Sequence, residues 1–305
     1  MTSPAIRCNG LAKFFGPVIG IEDLSLQVER GEVFGFLGAN GAGKTTTIRI
    51  LLDLLRPTKG TASVLGFDCH RQSLQSRAQI GYLPGELPVY PDLSAGGYLK
   101  YLSRLDGRPV AAAYLSDLLR RFDVSDIDLG RRLRDQSHGM KQKVGIVQAL
   151  MARPPVVILD EPTAGLDPFM VHAFRDVVDD LRRTGTTVFL SSHVLTEVET
   201  TCDRVGIIRA GRIVNISALT DLEAAAPRRV VIRFASQVAP PPSTETINVR
   251  STSPERWEVD VNGPLGSLMR ILAPLPVKDM SVEPFSLEKH VLALYGPDRA
   301  SEGTS

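Results

Sequence analysis

The amino-acid sequence predicts an α/β protein with a doubly wound, parallel sheet, and three observations support this fold class. A glycine-rich stretch, residues 38–46, separates a short apolar run from a helical pattern. A continuous apolar run over residues 156–159 is typical of a strand that is buried on both faces. Strand patterns then alternate with helical patterns as far as residue 216, which is the order found in parallel sheets.

The composition is that of an ordinary globular protein. The chain has 305 residues, of which 23% are charged and 43% hydrophobic, and its formal net charge is +1. This length accommodates one large and one small domain. A net charge so close to zero gives no electrostatic argument for a nucleic-acid partner. The three cysteines (Cys8, Cys69 and Cys202) are far apart, lack metal-ligand spacing and suit a reducing cytoplasm.

The N-terminal segment contains no apolar core of signal-peptide length. No other stretch reaches the roughly eighteen uninterrupted apolar residues of a membrane-spanning helix. If the protein acts at a membrane, we therefore expect another chain to supply the membrane span.

Residues 5–28 are predicted to form short strands, with the aromatic pair Phe14-Phe15 between them. One ring is expected in the core, and the other could lie flat on a purine base. Packing and stacking are both compatible with these residues.

The glycine-rich stretch follows the apolar run 33–37 and precedes a helical pattern, which is the context of a phosphate-binding loop. Glycines let successive backbone N–H groups point at one anion, and the helix N-terminus adds its positive end. Lys44 is expected to reach the β- and γ-phosphates, and the Thr45 hydroxyl to ligate Mg²⁺. The predicted nucleoside triphosphate contacts are Gly38, Asn40, Gly41, Ala42, Gly43, Lys44, Thr45 and Thr46.

The pattern changes to a helical period over residues 94–150. Tyr98, Tyr101, Leu102 and Leu105 recur at spacings of three and four, which predicts one apolar helix face. We interpret residues 87–152 as a helical subdomain that interrupts the parallel sheet.

Two carboxylates follow the buried strand at 156–159, at the edge of the sheet where ligands bind. Asp160 is predicted to hold the same Mg²⁺ as Thr45. Glu161 points elsewhere because neighbouring side chains at a strand end diverge, so we expect it to act as the general base that polarises water. His193 follows a neighbouring strand and is predicted to contact the γ-phosphate.

The composition shifts near residue 224, where alanine- and proline-rich loops begin. We expect a nucleotide-binding domain over residues 1–223, a small α+β accessory domain over 224–296, and a disordered tail over 297–305.

Over residues 4–220 the sequence resembles the nucleotide-binding subunit of an ABC transporter, a P-loop NTPase with a β-subdomain and an inserted helical subdomain. Residues 38–46 resemble the Walker A loop, and residues 156–161 resemble Walker B with its catalytic glutamate. Residues 164–167 resemble the D-loop, which implies that Asp167 contacts nucleotide. His193 stands at the switch-histidine position, and Phe15 at the aromatic position that stacks on adenine.

The signature motif is represented by Gln136-Ser137-His138-Gly139-Met140. The resemblance implies that Ser137 and Gly139 contact the γ-phosphate bound to the opposite subunit. His138 and Met140 resemble substitutions found in exporter subunits for drugs, antibiotics and lipids. Residues 283–288 also resemble the acidic Pro-Ser-Leu-Glu element of such exporters, with Phe285 inserted.

One departure concerns the Q-loop, where Gly85 stands in place of the glutamine and Glu86 follows it. Glycine has no side chain to ligate Mg²⁺ or order the attacking water; Glu86 could substitute for the glutamine, or water could complete the coordination. We expect this departure to affect hydrolysis and coupling to the membrane partner, but not nucleotide binding.

The resemblance implies an ATP-hydrolysing motor subunit that uses ATP and Mg²⁺ and sits at the cytoplasmic face of the cell membrane. Its implied partners are a membrane-spanning permease, docked near residues 85–105, and a second ATP-binding subunit, which we expect to be an identical chain. The implied transport is export of a drug, antibiotic or lipid-like molecule.

One alternative is a regulatory module that binds ATP with little hydrolysis, which Gly85 and the altered signature would favour. A soluble ABC protein acting on ribosomes or DNA usually carries two phosphate loops or long coiled coils, and this sequence shows one loop and no sustained heptads. A GTPase is disfavoured because no Asn-Lys-x-Asp element appears.

Overall fold

The computed structural model describes residues 3–87, 90–239, 241, 243–283 and 286–288. The chain divides into two compact units, Met1–Ser217 and Ala218–Ser305. Each unit has its own hydrophobic core, so the two are described separately.

The first unit contains two sheets. Its strands are β1 (Ile6–Phe15), β2 (Val18–Val28), β3 (Val33–Leu37), β4 (Lys59–Val64), β5 (Phe67–Asp68), β6 (Ile80–Leu83), β7 (Val156–Asp160), β8 (Thr187–Ser192), β9 (Arg204–Arg209) and β10 (Arg212–Ala218). Four of them form a sheet of order β2-β1-β4-β5, in which neighbouring strands are antiparallel. The other six form a sheet of order β10-β9-β3-β8-β7-β6.

The pairs β9-β3, β3-β8, β8-β7 and β7-β6 are parallel, so the carboxyl ends of these strands meet at one edge. Every residue of β3, β7 and β8 is buried, because helices cover both faces of a parallel sheet. The rings of Phe34 and Phe189 stack 5.8 Å apart between neighbouring strands. The parallel α/β core predicted from the sequence is confirmed.

Helices of the first unit are α1 (Lys44–Leu51), α2 (Ser73–Arg77), α3 (Ala95–Asp106), α4 (Ala112–Arg121), α5 (Asp126–Gly130), α6 (His138–Leu150), α7 (Pro168–Arg183) and α8 (Leu195–Thr201). Helices α3 to α6 lie between β6 and β7 in the chain. The predicted apolar face of α3 is only partly buried: Tyr98 is 3% exposed, but Tyr101 is 40% and Leu105 65% exposed. The predicted helix is present, and the C-terminal part of its apolar face remains exposed.

The second unit is built on an antiparallel sheet of order β12-β13-β11-β14. Its elements are α9 (Leu219–Ala225), β11 (Arg228–Phe234), β12 (Ile247–Ser253), β13 (Arg256–Val261), α10 (Gly266–Leu272) and β14 (Val277–Val282). Trp257 and Phe234 pack edge to face, 4.5 Å apart, in its core. The predicted tail and most of residues 283–296 lie outside the described residues.

None of the helices that the structure describes is both long enough and apolar enough to cross a membrane.

Candidate active site

The phosphate loop connects β3 to α1 and needs glycine at the turn into the helix. Gly43 has a φ of 114°, which L-residues with a side chain rarely adopt. A Cβ atom there would lie 2.7 Å from Ile21 Cγ2 and 2.9 Å from Gly20 O. A Cβ at Gly38 would lie 2.6 Å from Ile208 O. The loop is thus packed against its surroundings with no room for larger residues at these positions.

Lys44, the first residue of α1, is only 6% exposed. Its ammonium donates to Gly38 O at 2.5 Å and to Ala39 O at 3.4 Å, and it pairs with Glu161 Oε1 at 3.2 Å. All three acceptors are oxygen atoms, as phosphate oxygens would be. The ammonium is therefore held at the mouth of the phosphate loop in an environment that fits a phosphate chain.

Asp160 ends β7 and is fixed by two hydroxyl groups. Thr45 Oγ1 donates to its Oδ2 at 3.1 Å, and Ser191 Oγ donates to its Oδ1 at 2.5 Å. Asp160 is 3% exposed, so burial and these two hydrogen bonds set its orientation. The arrangement brings a carboxylate and a hydroxyl together at the loop, and these are hard oxygen ligands of the type that Mg²⁺ prefers.

Glu161 adopts a left-handed conformation with φ of 52° directly after the strand. Its carboxylate lies between two cationic or polar partners, Lys44 Nζ at Oε1 and His193 Nδ1 at 2.8 Å from Oε2. Its N–H donates to the backbone oxygen and to Oγ of Ser191, each at 3.2 Å. A strained backbone that is held on several sides is typical of functional residues. The hydrogen bond between His193 and Glu161 shows that these two predicted site residues are in direct contact.

A cavity of about 680 Å³ opens beside the phosphate loop, a size typical of small-ligand sites. It is lined by loop residues including Asn40, Gly41 and Thr46, and by Asp160 and Glu161. Ala42, which is buried, instead supports the loop, since its carbonyl accepts from Gly211 N at 2.9 Å.

Phe15, Val18 and Ile19 form an apolar wall of the same cavity. Phe15 is 48% exposed, and Lys13 Nζ lies 5.3 Å from the centre of its ring. About half of the Phe15 side chain is thus accessible at the cavity, where an aromatic ring can pack against a flat ligand. Tyr82 also lines the cavity, and burial together with the nearby Asp160 carboxylate raises its pKa to about 12.

Gly85 and Glu86 also line this cavity. A Cβ at Gly85 would lie 3.5 Å from Asp160 Oδ2, which is an ordinary van der Waals contact. The backbone at Gly85 thus approaches the predicted metal ligand and leaves room for a Cβ atom.

Ser137, Gly139 and Asp167 lie apart from this cavity: within the described chain they are not among its lining residues. Ser137 caps α6, accepting from Met140 N at 3.2 Å, and Asp167 caps α7, accepting from Met170 N at 3.0 Å. Gly139 packs against the loop after Glu161, since its Cβ would lie 2.7 Å from Gly165 O. One chain alone therefore does not bring these three residues to its own phosphate loop.

Ser191 and Gln142 support the site and were not predicted from the sequence. Ser191 orients Asp160, and Gln142 donates to the carbonyl groups of Glu161 and Pro162. Ser191 stands two residues before His193 at the end of a predicted strand, so its place at this edge was accessible from the sequence. Gln142 carries no comparable signal, because only tertiary packing brings α6 to Glu161.

Comparison with known proteins places these features in a family. Residues 21–164 match the family described as ABC transporter. The chain is 40% identical over 208 residues to the ABC transporter ATP-binding protein NatA of Bacillus subtilis, covering 67% of this chain and 84% of NatA. It is 33% identical to the daunorubicin resistance ATP-binding protein DrrA3 of Streptomyces coeruleorubidus, over 98% of both chains.

Among solved structures, an ATP-binding subunit of an ABC transporter has a TM-score of 0.66 and 31% identity, covering 72% of this chain and 92% of that one. A dimeric bacterial ABC transporter cassette has a TM-score of 0.65 at 20% identity, covering 70% of this chain and 98% of that one, and supports the fold. The chain belongs to the family of ABC transporter ATP-binding proteins and is an ATPase.

Proposed function

We propose that this chain drives export of a drug, antibiotic or lipid-like molecule through a separate membrane-spanning subunit. The observation that carries the proposal is the extent of the similarity to the daunorubicin resistance protein, which covers 98% of both chains. That similarity includes the second unit, whereas the similarity to NatA covers 67% of this chain. The second unit would then be an accessory domain of the exporter type.

Hydrolysis would use the groups assembled at the carboxyl edge of the parallel sheet. Lys44 would bind the β- and γ-phosphates, and Thr45 with Asp160 would hold Mg²⁺, which neutralises phosphate charge when bound. Glu161 would take a proton from water, because its carboxylate is oriented by Lys44 and His193. His193 would keep Glu161 directed toward the γ-phosphate.

Two copies of the chain would complete two sites. Ser137 caps α6, a helix of thirteen residues, and Gly139 lies in its first turn. The positive end of that helix suits a phosphate. Because they lie away from the cavity of their own chain, they are available to a nucleotide bound by a second copy. The loop that leads to Asp167 contacts Gly139 at Gly165, so Asp167 would join the same interface.

The membrane subunit would dock beside Gly85 and Glu86. An exposed aromatic cluster is found near this segment: Tyr90 is 47% exposed, and its ring lies 5.6 Å from that of Tyr101. Tyr101 and Leu105 both lie on α3. With Tyr90, these side chains form an exposed apolar surface that a partner can bury. Such docking would hold the chain peripherally at the cytoplasmic face of the membrane.

A regulatory module that binds ATP with little turnover is the second candidate. It is favoured by Gly85, which supplies no ligand where the family has a glutamine. The hydrogen-bonded pair of Glu161 and His193 favours hydrolysis instead.

The proposal is tested in cells of the source organism that lack this chain. We expect these cells to accumulate more of at least one compound in a panel of fluorescent amphipathic drugs and labelled lipids. The wild-type chain should restore efflux and the Glu161→Gln variant should not. Unchanged accumulation across the panel would contradict export, and full restoration by Glu161→Gln would favour the regulatory module.

A further inference from the structure

Gln142 connects the helix capped by Ser137 to the backbone of Glu161. It lies in the second turn of α6 and is 2% exposed. Its amide nitrogen donates to Glu161 O at 3.1 Å and to Pro162 O at 2.9 Å. A single buried amide group therefore uses both of its N–H bonds on the two consecutive carbonyl groups after the strand.

The carbonyl group of Glu161, which accepts from Gln142, belongs to a residue with a strained backbone conformation. Glu161 has a left-handed φ of 52°, and residues other than glycine adopt this region at a cost. On the other side of the residue, the Glu161 N–H donates to Ser191. Gln142 and Ser191 thus hold the Glu161 backbone from opposite sides, and the direction of its side chain depends on both.

A second contact joins α6 to the same loop. A Cβ at Gly139 would lie 2.7 Å from Gly165 O, and a Cβ at Gly165 would lie 2.4 Å from the His138 ring. The first turn of α6 is therefore in close contact with the loop after Glu161, one turn away from Gln142. Because a helix moves as a rigid element, displacement of its N-terminus displaces Gln142 as well.

We propose that Gln142 is a positioning residue that couples the nucleotide at the Ser137 end of α6 to the catalytic carboxylate of the same chain. Resting on the proposed two-copy arrangement, this makes each Glu161 respond to ATP bound at the other site. Gln142 does not touch the nucleotide. It acts by fixing the peptide groups of Glu161 and Pro162, and so the orientation of the Glu161 side chain.

The test uses Gln142→Met, which keeps the length of the side chain but removes the N–H donors. The matched control is Gln148→Met, on the same helix and half-buried. The first measurement is hydrogen–deuterium exchange of the full chain with ADP bound. We expect the amides of residue 161 and of residues 163–166 to exchange about 5- to 30-fold faster in Gln142→Met, the size expected for one or two lost hydrogen bonds. Residues 38–46 should exchange as in the wild type, and the control should show no change in either segment.

The second measurement is ATP turnover as a function of ATP concentration. For Gln142→Met we expect kcat to fall about tenfold, because a coupling of 1–3 kcal/mol corresponds to factors of 5–150. The ATP concentration at half-maximal turnover should stay within about twofold of wild type, and the Hill coefficient should fall to near 1. Gln142→Asn, which retains donors on a shorter side chain, should recover part of the turnover. Exchange and kinetics equal to those of Gln148→Met would overturn the proposal. A wild type without turnover, but with the expected exchange difference, would instead contradict the proposed function while supporting the positioning role.

Discussion

The two sides of the nucleotide cavity are built differently. On the phosphate side, Lys44 and Asp160 are almost fully buried, and each has hydrogen-bond or ionic partners within 3.2 Å. The outer side is formed by Phe15 and Gly85. Phe15 is about half exposed, and Gly85 leaves room for a Cβ atom beside Asp160. The phosphate side is therefore preorganised, whereas the outer side can vary without disturbing the fold. We expect substitutions on the first side to abolish binding or chemistry, and those on the second to adjust them.

The largest effect on binding is expected at Lys44. Lys44→Ala should weaken ATP binding about 100-fold or more, because charge-assisted hydrogen bonds to two phosphate groups are lost. Titration with a fluorescent ATP analogue measures the change, and Lys59→Ala, at an exposed lysine on β4, is the control. Retention of wild-type affinity in Lys44→Ala would contradict the assignment of the phosphate loop.

The next prediction concerns two glycines, Gly43 on the phosphate side and Gly85 on the outer side of the cavity. Gly43→Ala should weaken ATP binding about 30-fold, since a positive φ and two close contacts together cost on the order of 2 kcal/mol. Gly85→Ala should leave affinity within about twofold, because its Cβ makes only an ordinary van der Waals contact. The same titration measures both variants. Equal losses in the two variants would show that the sides do not differ as described.

A smaller effect is expected from Phe15. Phe15→Ala should weaken ATP binding about tenfold, since stacking of a base on an aromatic ring contributes about 1–3 kcal/mol. Phe15→Tyr should retain affinity, and Phe14→Ala, at the half-buried neighbour, is the control for damage to the strand. If Phe14→Ala lowers affinity more than Phe15→Ala, the adenine wall has been assigned to the wrong ring.

The smallest effect is a gain at Gly85. Gly85→Gln should raise ATP turnover about fivefold, the size of one added hydrogen bond, by placing an amide near Asp160 and the attacking water. Gly85→Met, of similar length but without the amide, should not raise turnover. Turnover that falls in both variants would show that this space is already used by Glu86 or by the membrane partner.

The phosphate side of the cavity is the part of the site that could be predicted from the sequence. The phosphate loop and the Asp160-Glu161 pair lie in local contexts, a strand followed by a turn or helix, that short sequence patterns describe well. Their predicted places at one edge of the sheet follow from the parallel direction of the strands, because the carboxyl ends of parallel strands meet at the same edge. The contact between His193 and Glu161 agrees with this edge, since both residues follow parallel strands.

Contacts that depend on packing between distant segments were not predictable in this way. Gln142 reaches Glu161 because α6 packs beside β6, and no sequence periodicity indicates which polar residue of a helix will be buried. The apolar face of α3 shows the same difficulty, because Tyr101 and Leu105 match the helical period but remain exposed. Strands β12 and β14 were also missed, since most of their residues are exposed and their sequences do not alternate clearly.

The central claim is that Glu161 is the general base of an ATPase, and one comparison of turnover tests it most directly. Phosphate release by the purified chain with Mg²⁺ and saturating ATP is measured beside Glu161→Gln, with binding of the ATP analogue checked in both. We predict unchanged binding and a rate lower by about 10²–10⁴-fold in the variant, the usual contribution of a general base. Equal rates in the two proteins, with ATP bound in both, would contradict the claim.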